Sequence, residues 1–242
     1  MIGGAILVLG DDAVSWRILS AVFGIISIFL LCLIAQLLFD DQKLVLFIGM
    51  LLTFECLHLV QSRIGMLDIF LMTFSLLAML SFFKIRYCGN YKIWLCVATL
   101  SLAAALSVKT VGALSVLTFN VLYFLHCYRF SRKRRLQHLI GLNIAVFFLY
   151  SGWWLYYRPY GYTYIDWLRY NIEVNIRVLG KLDPHRSASA PISWLFNWRP
   201  VHYAVQGKSS IIAFGHPLLW LSFFACLFHT ILRWFRERVE TD

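Results

Sequence analysis

Long apolar runs separated by short polar punctuation organise this chain, at a spacing set by the thickness of a bilayer. A spanning helix needs about 20 mostly apolar residues. That rule predicts seven: Arg17–Phe39, Leu44–Val60, Ile64–Phe83, Ile93–Val108, Val111–Tyr128, Leu139–Tyr157 and Ile211–Trp234. The second and fourth are short, as tilted or partly re-entrant passages are. The polar stretch Arg158 to Ser210, between the sixth and seventh, is the only segment large enough for a structured extramembrane element. The expected organisation is a six-span bundle over 1–157, an outer segment over 158–210, and a last span with a polar tail over 211–242. The fold class is an all-α polytopic membrane protein.

Within the outer segment, Ile165, Leu168, Ile172, Ile176 and Leu179 recur at spacings of three and four, while Asp166, Arg169, Glu173 and Arg177 fill the opposite side. This is the pattern of an amphipathic helix, lying flat on the outer membrane surface or packed over the bundle as a lid. Aromatic residues crowd the same region, among them Trp153, Trp154, Tyr156, Tyr157, Tyr160, Tyr162, Tyr164, Trp167, Tyr170, Trp194, Trp198 and Tyr203. An interfacial belt accounts for most of them, and one or two remain candidates for stacking on a sugar ring.

Composition agrees with the pattern. Sixty per cent of the residues are hydrophobic and 14% charged, against about 45–50% and about 25% in soluble domains. That excludes a soluble globular domain, and so apolar a chain is not disordered. Cys32, Cys56, Cys96, Cys127 and Cys226 lie in apolar runs and Cys88 in a short loop, without the spacing of a disulfide framework or a zinc site. No metal, cofactor or nucleic-acid partner is expected.

The formal net charge of +10 divides in two. Twelve of the 22 basic residues (Lys43, Lys84, Arg86, Lys92, Arg129, Arg132, Lys133, Arg134, Arg135, Arg233, Arg236 and Arg238) fall on one side of the predicted spans. Positive residues are retained in the cytoplasm, so that side and the C-terminus are cytoplasmic. Seven spans then place the N-terminus outside. Residues 1–10 lack the basic start of a signal peptide and meet Asp11–Asp12 at once, so a preceding helix, upstream or on another chain, is expected. The other ten basic residues lie on the outer side, and orientation alone does not place them there.

Charged groups inside spans are costly and mark function or a paired structural site. Here they are Glu55, His58, Arg63, Asp68 and Lys109, each near the outer end of its span. Convergence at one depth predicts a polar cavity open to the outer face and roofed by the 158–210 segment. Glu55 and His58 are spaced to share a helix face as a structural pair. Asp68, five residues after Arg63, is poorly placed for an ion pair within one helix. Arg63 and Lys109 either snorkel to the headgroups or hold an anionic headgroup, Arg as a planar fork and Lys as a point charge.

Several strings carry a resemblance: GDDAVSWRILSAVFGI (10–25), HLVQSRIGMLDIFLMTF (58–74), LAAALSVKTVGAL (102–114), SAPISWLFNWRPVHYAV (189–205) and GHPLLW (215–220). Together they resemble the protein O-mannosyltransferase family, polytopic GT-C type glycosyltransferases that use polyprenyl-phosphate-linked sugars. The resemblance implies transfer of a sugar, usually mannose, from a lipid phosphate to a Ser/Thr hydroxyl at the outer or luminal face, with inversion and no metal. The membrane is then the bacterial plasma membrane or the endoplasmic reticulum. It maps Arg63 and Lys109 near the lipid phosphate and puts Arg199 in the outer loop with them. It leaves Glu55, His58, Asp68, His202 and Tyr203 as possible site-lining residues, Asp68 with a structural reading open.

One departure stands out. Members of that family carry a further N-terminal helix and a first outer loop whose acidic motif supplies the catalytic base. The expectation is therefore a base upstream of Met1, with Asp11 and Asp12 not promoted to that role. Three readings stay open: a truncated or split protein mannosyltransferase whose partner chain supplies the loop; a related transferase acting on a lipid or envelope glycan; and a non-catalytic membrane subunit that binds a lipid phosphate.

Overall fold

The computed structural model describes residues 2–87, 90–180, 201–206, 209–213, 215–216, 219, 221–229 and 233. The chain divides into two compact units, Met1–Thr53 with Gln61–Leu182, and Phe54–Val60 with Asp183–Asp242.

The first unit is a helical bundle. Its helices are α1 (Ile2–Leu9), α2 (Ala13–Leu38), α3 (Gln42–Thr53), α5 (Asp68–Tyr87), α6 (Tyr91–Val108), α7 (Gly112–His126), α8 (Arg132–Ser151), the short α9 (Trp154–Tyr157) and α10 (Tyr164–Gly180). The intervening α4 (Cys56–Arg63) begins in the second unit. Among the described residues, four stretches are long and apolar enough to cross a membrane: α2, α5, α6 and Arg132–Tyr160. The broken pair α3–α4 counts as a fifth if taken as one span. The apolar α7 has only 15 residues, because the Lys109–Val111 turn takes residues from its start.

Capping explains where α2 begins. Asp12 accepts hydrogen bonds from the Ser15 N–H and hydroxyl, both at 2.7 Å, so the helix opens at Ala13, four residues before the expected Arg17. These bonds, that from the Ser15 backbone foremost, hold the Asp12 carboxyl below its ordinary value. Asp12 is thus a helix cap.

Small and weakly polar side chains pack the bundle, as is usual where lipid removes the hydrophobic drive between helices. Ser20, Gly24 and Ser27 form a buried stripe on α2, and the Thr73 hydroxyl of α5 donates across to the Phe23 carbonyl at 3.0 Å. On α7 and α8, Asn120 and Asn143 exchange two amide hydrogen bonds of 3.0 and 3.1 Å. Around them lies the apolar core: Ala78, Phe82 and Ile85 of α5, Ala98 and Leu102 of α6, Phe119 and Tyr123 of α7.

Contacts at the helix ends fix direction. Lys84 near the end of α5 lies 5.9 Å over Trp94 near the start of α6, and Lys109 after α6 meets Asp68 at the start of α5. Arg129, between α7 and α8, lies over Tyr91 of α6 at 5.9 Å. One end of the bundle therefore gathers the basic loops and the opposite end gathers Asp68 and Lys109.

In the second unit, α4 follows a break at Phe54–Glu55 in the predicted span Leu44–Val60. The cause is Glu55, whose carboxylate accepts the His58 N–H at 2.6 Å and opens a new helix. A two-stranded antiparallel hairpin, β1 (Val201–Gln206) and β2 (Ser209–Ala213), adds to the all-α plan. The expected seventh span therefore does not start at Ile211. Residues 211–213 are in β2, and helix is described at Leu219 and over 221–229. Val201, Val205, Ile211 and Ile212 favour a pleated strand, and a short apolar run of this kind does not tell strand from helix by pattern alone.

Candidate functional site

The C-terminal end of α6 sets the site. Lys109 leaves the helix in an extended conformation (φ −159°, ψ 140°) while its N–H still bonds the Ala105 carbonyl. The chain then turns sharply, with the Gly112 N–H donating to the Lys109 carbonyl at 2.8 Å. Gly112 is buried, and a Cβ there would lie 2.5 Å from the Ala105 carbonyl carbon and 2.7 Å from the Leu106 nitrogen. Only glycine lets α7 start this close to the last turn of α6, and the closeness holds Lys109 at the corner.

Asp68 opens α5, where the helix dipole favours a carboxylate. Its Oδ1 accepts from Lys109 Nζ at 2.9 Å, with the two side chains 28% and 46% exposed. A pair this exposed adds at most about 1 kcal/mol to stability, so its effect is mainly to aim the ammonium. Lys109 carries three donors and spends one on Asp68, leaving two for an anion.

Arg63 is exposed in the last turn of α4, on the favourable end of the helix dipole. It forms no ion pair among the described residues. Five residues separate it from Asp68, a reach of at most about 17 Å along the chain. Arg63 and Asp68 thus belong to successive helices, which is why no pair within one helix forms. Two cations against one carboxylate leave the region net positive.

Beside this corner, the end of α8, α9 and α10 form a polar cavity of about 220 Å³ lined by Ser107, Tyr150, Trp153, Tyr157, Trp167 and Asn171. Gly161, at φ +85°, turns the chain back, and Thr163 with Asp166 caps α10 reciprocally: the Thr163 hydroxyl donates to Asp166 at 2.6 Å, and the Asp166 N–H donates to Thr163 Oγ1 at 3.2 Å. The Thr163 hydroxyl, more than its backbone N–H, holds the Asp166 carboxyl below its ordinary value.

The predicted amphipathic helix is therefore present, but the face it packs inward is not the isoleucine face. Trp167 is buried at 3% exposure and rests on Tyr150, with ring centroids 5.5 Å apart. Tyr150 OH donates to Asn171 Oδ1 at 3.3 Å, and Ser151 meets Tyr164 OH at 3.1 Å. Ile165, Ile172 and Ile176 face outward, each more than half exposed. The aromatic cluster accordingly divides into exposed rings such as Tyr156, Tyr160 and Tyr170 and the buried Trp167.

In the second unit, Glu55 Oε2 accepts the His58 N–H and Oε1 accepts the His216 N–H at 3.3 Å. The expected Glu55–His58 pair is thus carboxylate to backbone. His58 is buried at 5% exposure, and His216 Nδ1 is buried without a hydrogen-bond partner among the described residues. No group of three His, Cys, Asp or Glu side chains suited to a metal occurs among the described residues. His202 and Tyr203 sit in β1, at a register shift between His202 and Ala204, and their side chains lie outside the described set. Arg199 and the other residues of 181–200 also lie outside it.

Of the sequence-predicted residues, the structure therefore brings together Asp68 with Lys109, and Glu55 with His58. Ser107, Tyr150 and Asn171 carry no charge, so the charge pattern along the sequence does not mark them.

The model of the family described as dolichyl-phosphate-mannose-protein mannosyltransferase matches residues 2–175. Over 67 residues the chain is 40% identical to the polyprenol-phosphate-mannose–protein mannosyltransferase of Corynebacterium glutamicum, an alignment that covers 28% of this chain and 13% of that relative. The match thus spans far less than the relative's own length. No solved structure matches.

Proposed function

Because the chain belongs to the dolichyl-phosphate-mannose-protein mannosyltransferase family, we propose that its Lys109 corner is the donor-phosphate site of a protein mannosyltransferase. The substrate is a polyprenyl-phosphate mannose and the acceptor a protein Ser or Thr hydroxyl, at the face opposite the basic loops. The basic loops and the C-terminus are assigned to the cytoplasmic side.

The observation that carries this reading is the fixed Lys109–Asp68 pair, with Arg63 five residues before Asp68, inside the matched residues. In the reaction, the bond from the anomeric carbon to the phosphate oxygen breaks and a bond to the acceptor oxygen forms on the opposite face. The hydroxyl proton goes to a base, and the phosphate departs with added negative charge. Fixed cations near that oxygen stabilise the charge as it develops. Lys109 supplies its two remaining donors, and Arg63 a planar fork for phosphate oxygens.

The base is assigned to neither Asp68 nor Glu55. Asp68 is engaged by Lys109, and both Glu55 oxygens accept backbone N–H groups.

The test is binding of labelled polyprenyl-phosphate mannose to the whole chain in nanodiscs. A charged hydrogen bond is worth about 1.5–3 kcal/mol, so Lys109→Ala weakens binding by about tenfold or more, and Arg63→Ala weakens it as well. Unchanged affinity in both variants would remove the phosphate site.

A further inference from the structure

We infer that the cavity lined by Ser107, Tyr150, Trp153, Tyr157, Trp167 and Asn171 seats the sugar ring of the lipid-linked donor, an inference that rests on the phosphate site proposed at Lys109. Its place along the chain is the first ground. Ser107 is two residues before Lys109, so the Cα atoms of the rim residue and of the lysine are at most about 7 Å apart. A hexose joined to a phosphate spans that interval.

The lining is the second ground. A second cavity of the bundle, of about 330 Å³, has largely apolar walls that include Met72, Leu76, Met79 and Leu114, and a third, lined by Lys92, Thr99, Gln137 and His138 among others, lacks an aromatic platform. The cavity at α10 instead combines four aromatic side chains with a hydroxyl and an amide. A hexose has the same division, with C–H faces that lie on aromatic rings and hydroxyls that need partners. At about 220 Å³ the space takes one ring and no longer glycan.

The hydrogen-bonding capacity left open is the third. The Ser107 hydroxyl bonds none of the described residues. Asn171 gives one amide hydrogen to the Trp167 carbonyl at 2.8 Å and accepts from Tyr150, which leaves one N–H and one lone pair. Tyr150 donates to Asn171 and keeps its lone pairs. These groups offer at least two donors and three acceptors to sugar hydroxyls, from side chains held in place by the Tyr150–Trp167 contact.

The experiment compares two lipids on the whole chain in nanodiscs, polyprenyl-phosphate mannose and bare polyprenyl phosphate. The wild-type chain binds the mannosylated lipid more tightly. Ser107→Ala and Asn171→Ala each reduce that preference by about fivefold, the weight of one net hydrogen bond, and leave affinity for the bare phosphate unchanged. Unchanged affinity for the bare lipid also shows that each variant is folded. Equal binding of the two lipids by the wild-type chain, or a preference kept in both variants, would overturn the sugar seat. Lys109→Ala weakens both lipids alike. If it weakened neither, the phosphate site would fall, and the sugar preference is read independently of that result.

Discussion

Gly112→Ala is the sharpest perturbation the bundle offers. The added Cβ lies 2.5 Å from the Ala105 carbonyl carbon and 2.7 Å from the Leu106 nitrogen, whereas ordinary contact begins at 3.4 Å. Both obstacles are backbone in the last turns of α6, so no side chain can rotate away. The start of α7 must move by about 1 Å, and overpacking of this kind costs about 1–3 kcal/mol. The Gly112–Lys109 hydrogen bond of 2.8 Å carries the displacement to Lys109. Misplacing a contact by about 1 Å can cost as much as a hundredfold in rate, and for binding the expected loss in affinity for bare polyprenyl phosphate is about five- to tenfold. Gly141→Ala is the matched control. Its Cβ meets nothing within 4 Å, and alanine inside a helix gains about 0.5–1 kcal/mol over glycine. Thermal unfolding in detergent and lipid binding in nanodiscs therefore separate the two: Gly112→Ala melts lower and binds more weakly, and Gly141→Ala does neither. Equal behaviour of the two variants would refute the claim that Gly112 positions Lys109.

Three further outcomes follow from the same contacts. Asp68→Asn changes stability by less than about 1 kcal/mol and weakens binding of bare polyprenyl phosphate, because the Lys109 ammonium is no longer aimed by its carboxylate; tighter binding would show that Asp68 mainly competes with the phosphate for the lysine. Asn143→Ala lowers stability by about 0.6–1.7 kcal/mol, the range for an interhelical polar contact in a membrane, and Asn120→Ala with it adds little more in a double-mutant cycle of thermal unfolding. Asp166→Ala speeds amide exchange in the first turn of α10 at neutral pH. The Asp166 carboxyl is lowered in the folded state, so its stabilisation is present above the ordinary value of 3.8 and is lost as pH falls through the lowered one. The difference from wild type should vanish there, and a difference that persists at the acid end would contradict the capping account.

Much of the bundle was legible because the bilayer leaves a strong signal in the chain. The apolar runs gave α2, α5, α6 and the α8 stretch, and the three-and-four spacing after Tyr164 gave α10. Pairing between helices left no such trace. Asp68 and Lys109 are 41 residues apart, and nothing local joins them. The face of α10 that packs on the bundle is not marked by hydropathy: the isoleucines stay exposed, and Trp167 and Asn171 make the contacts because a ring and an amide find their partner in Tyr150 of α8. The charge rule exposed Glu55 as unusual without showing that it breaks a span. Gly112 stood in plain view beside Lys109, and only the backbone approach of α6 and α7 explains it.

The donor phosphate is assigned to the Lys109 corner and not to the basic loops at the other end of the bundle. Photo-crosslinking with a polyprenyl phosphate that carries its reactive group beside the phosphate tests this directly on the whole chain. The account predicts label on the peptide containing Lys109 and Gly112, lost on competition with unlabelled polyprenyl-phosphate mannose. Label confined to the Arg129–Arg135 segment would contradict it.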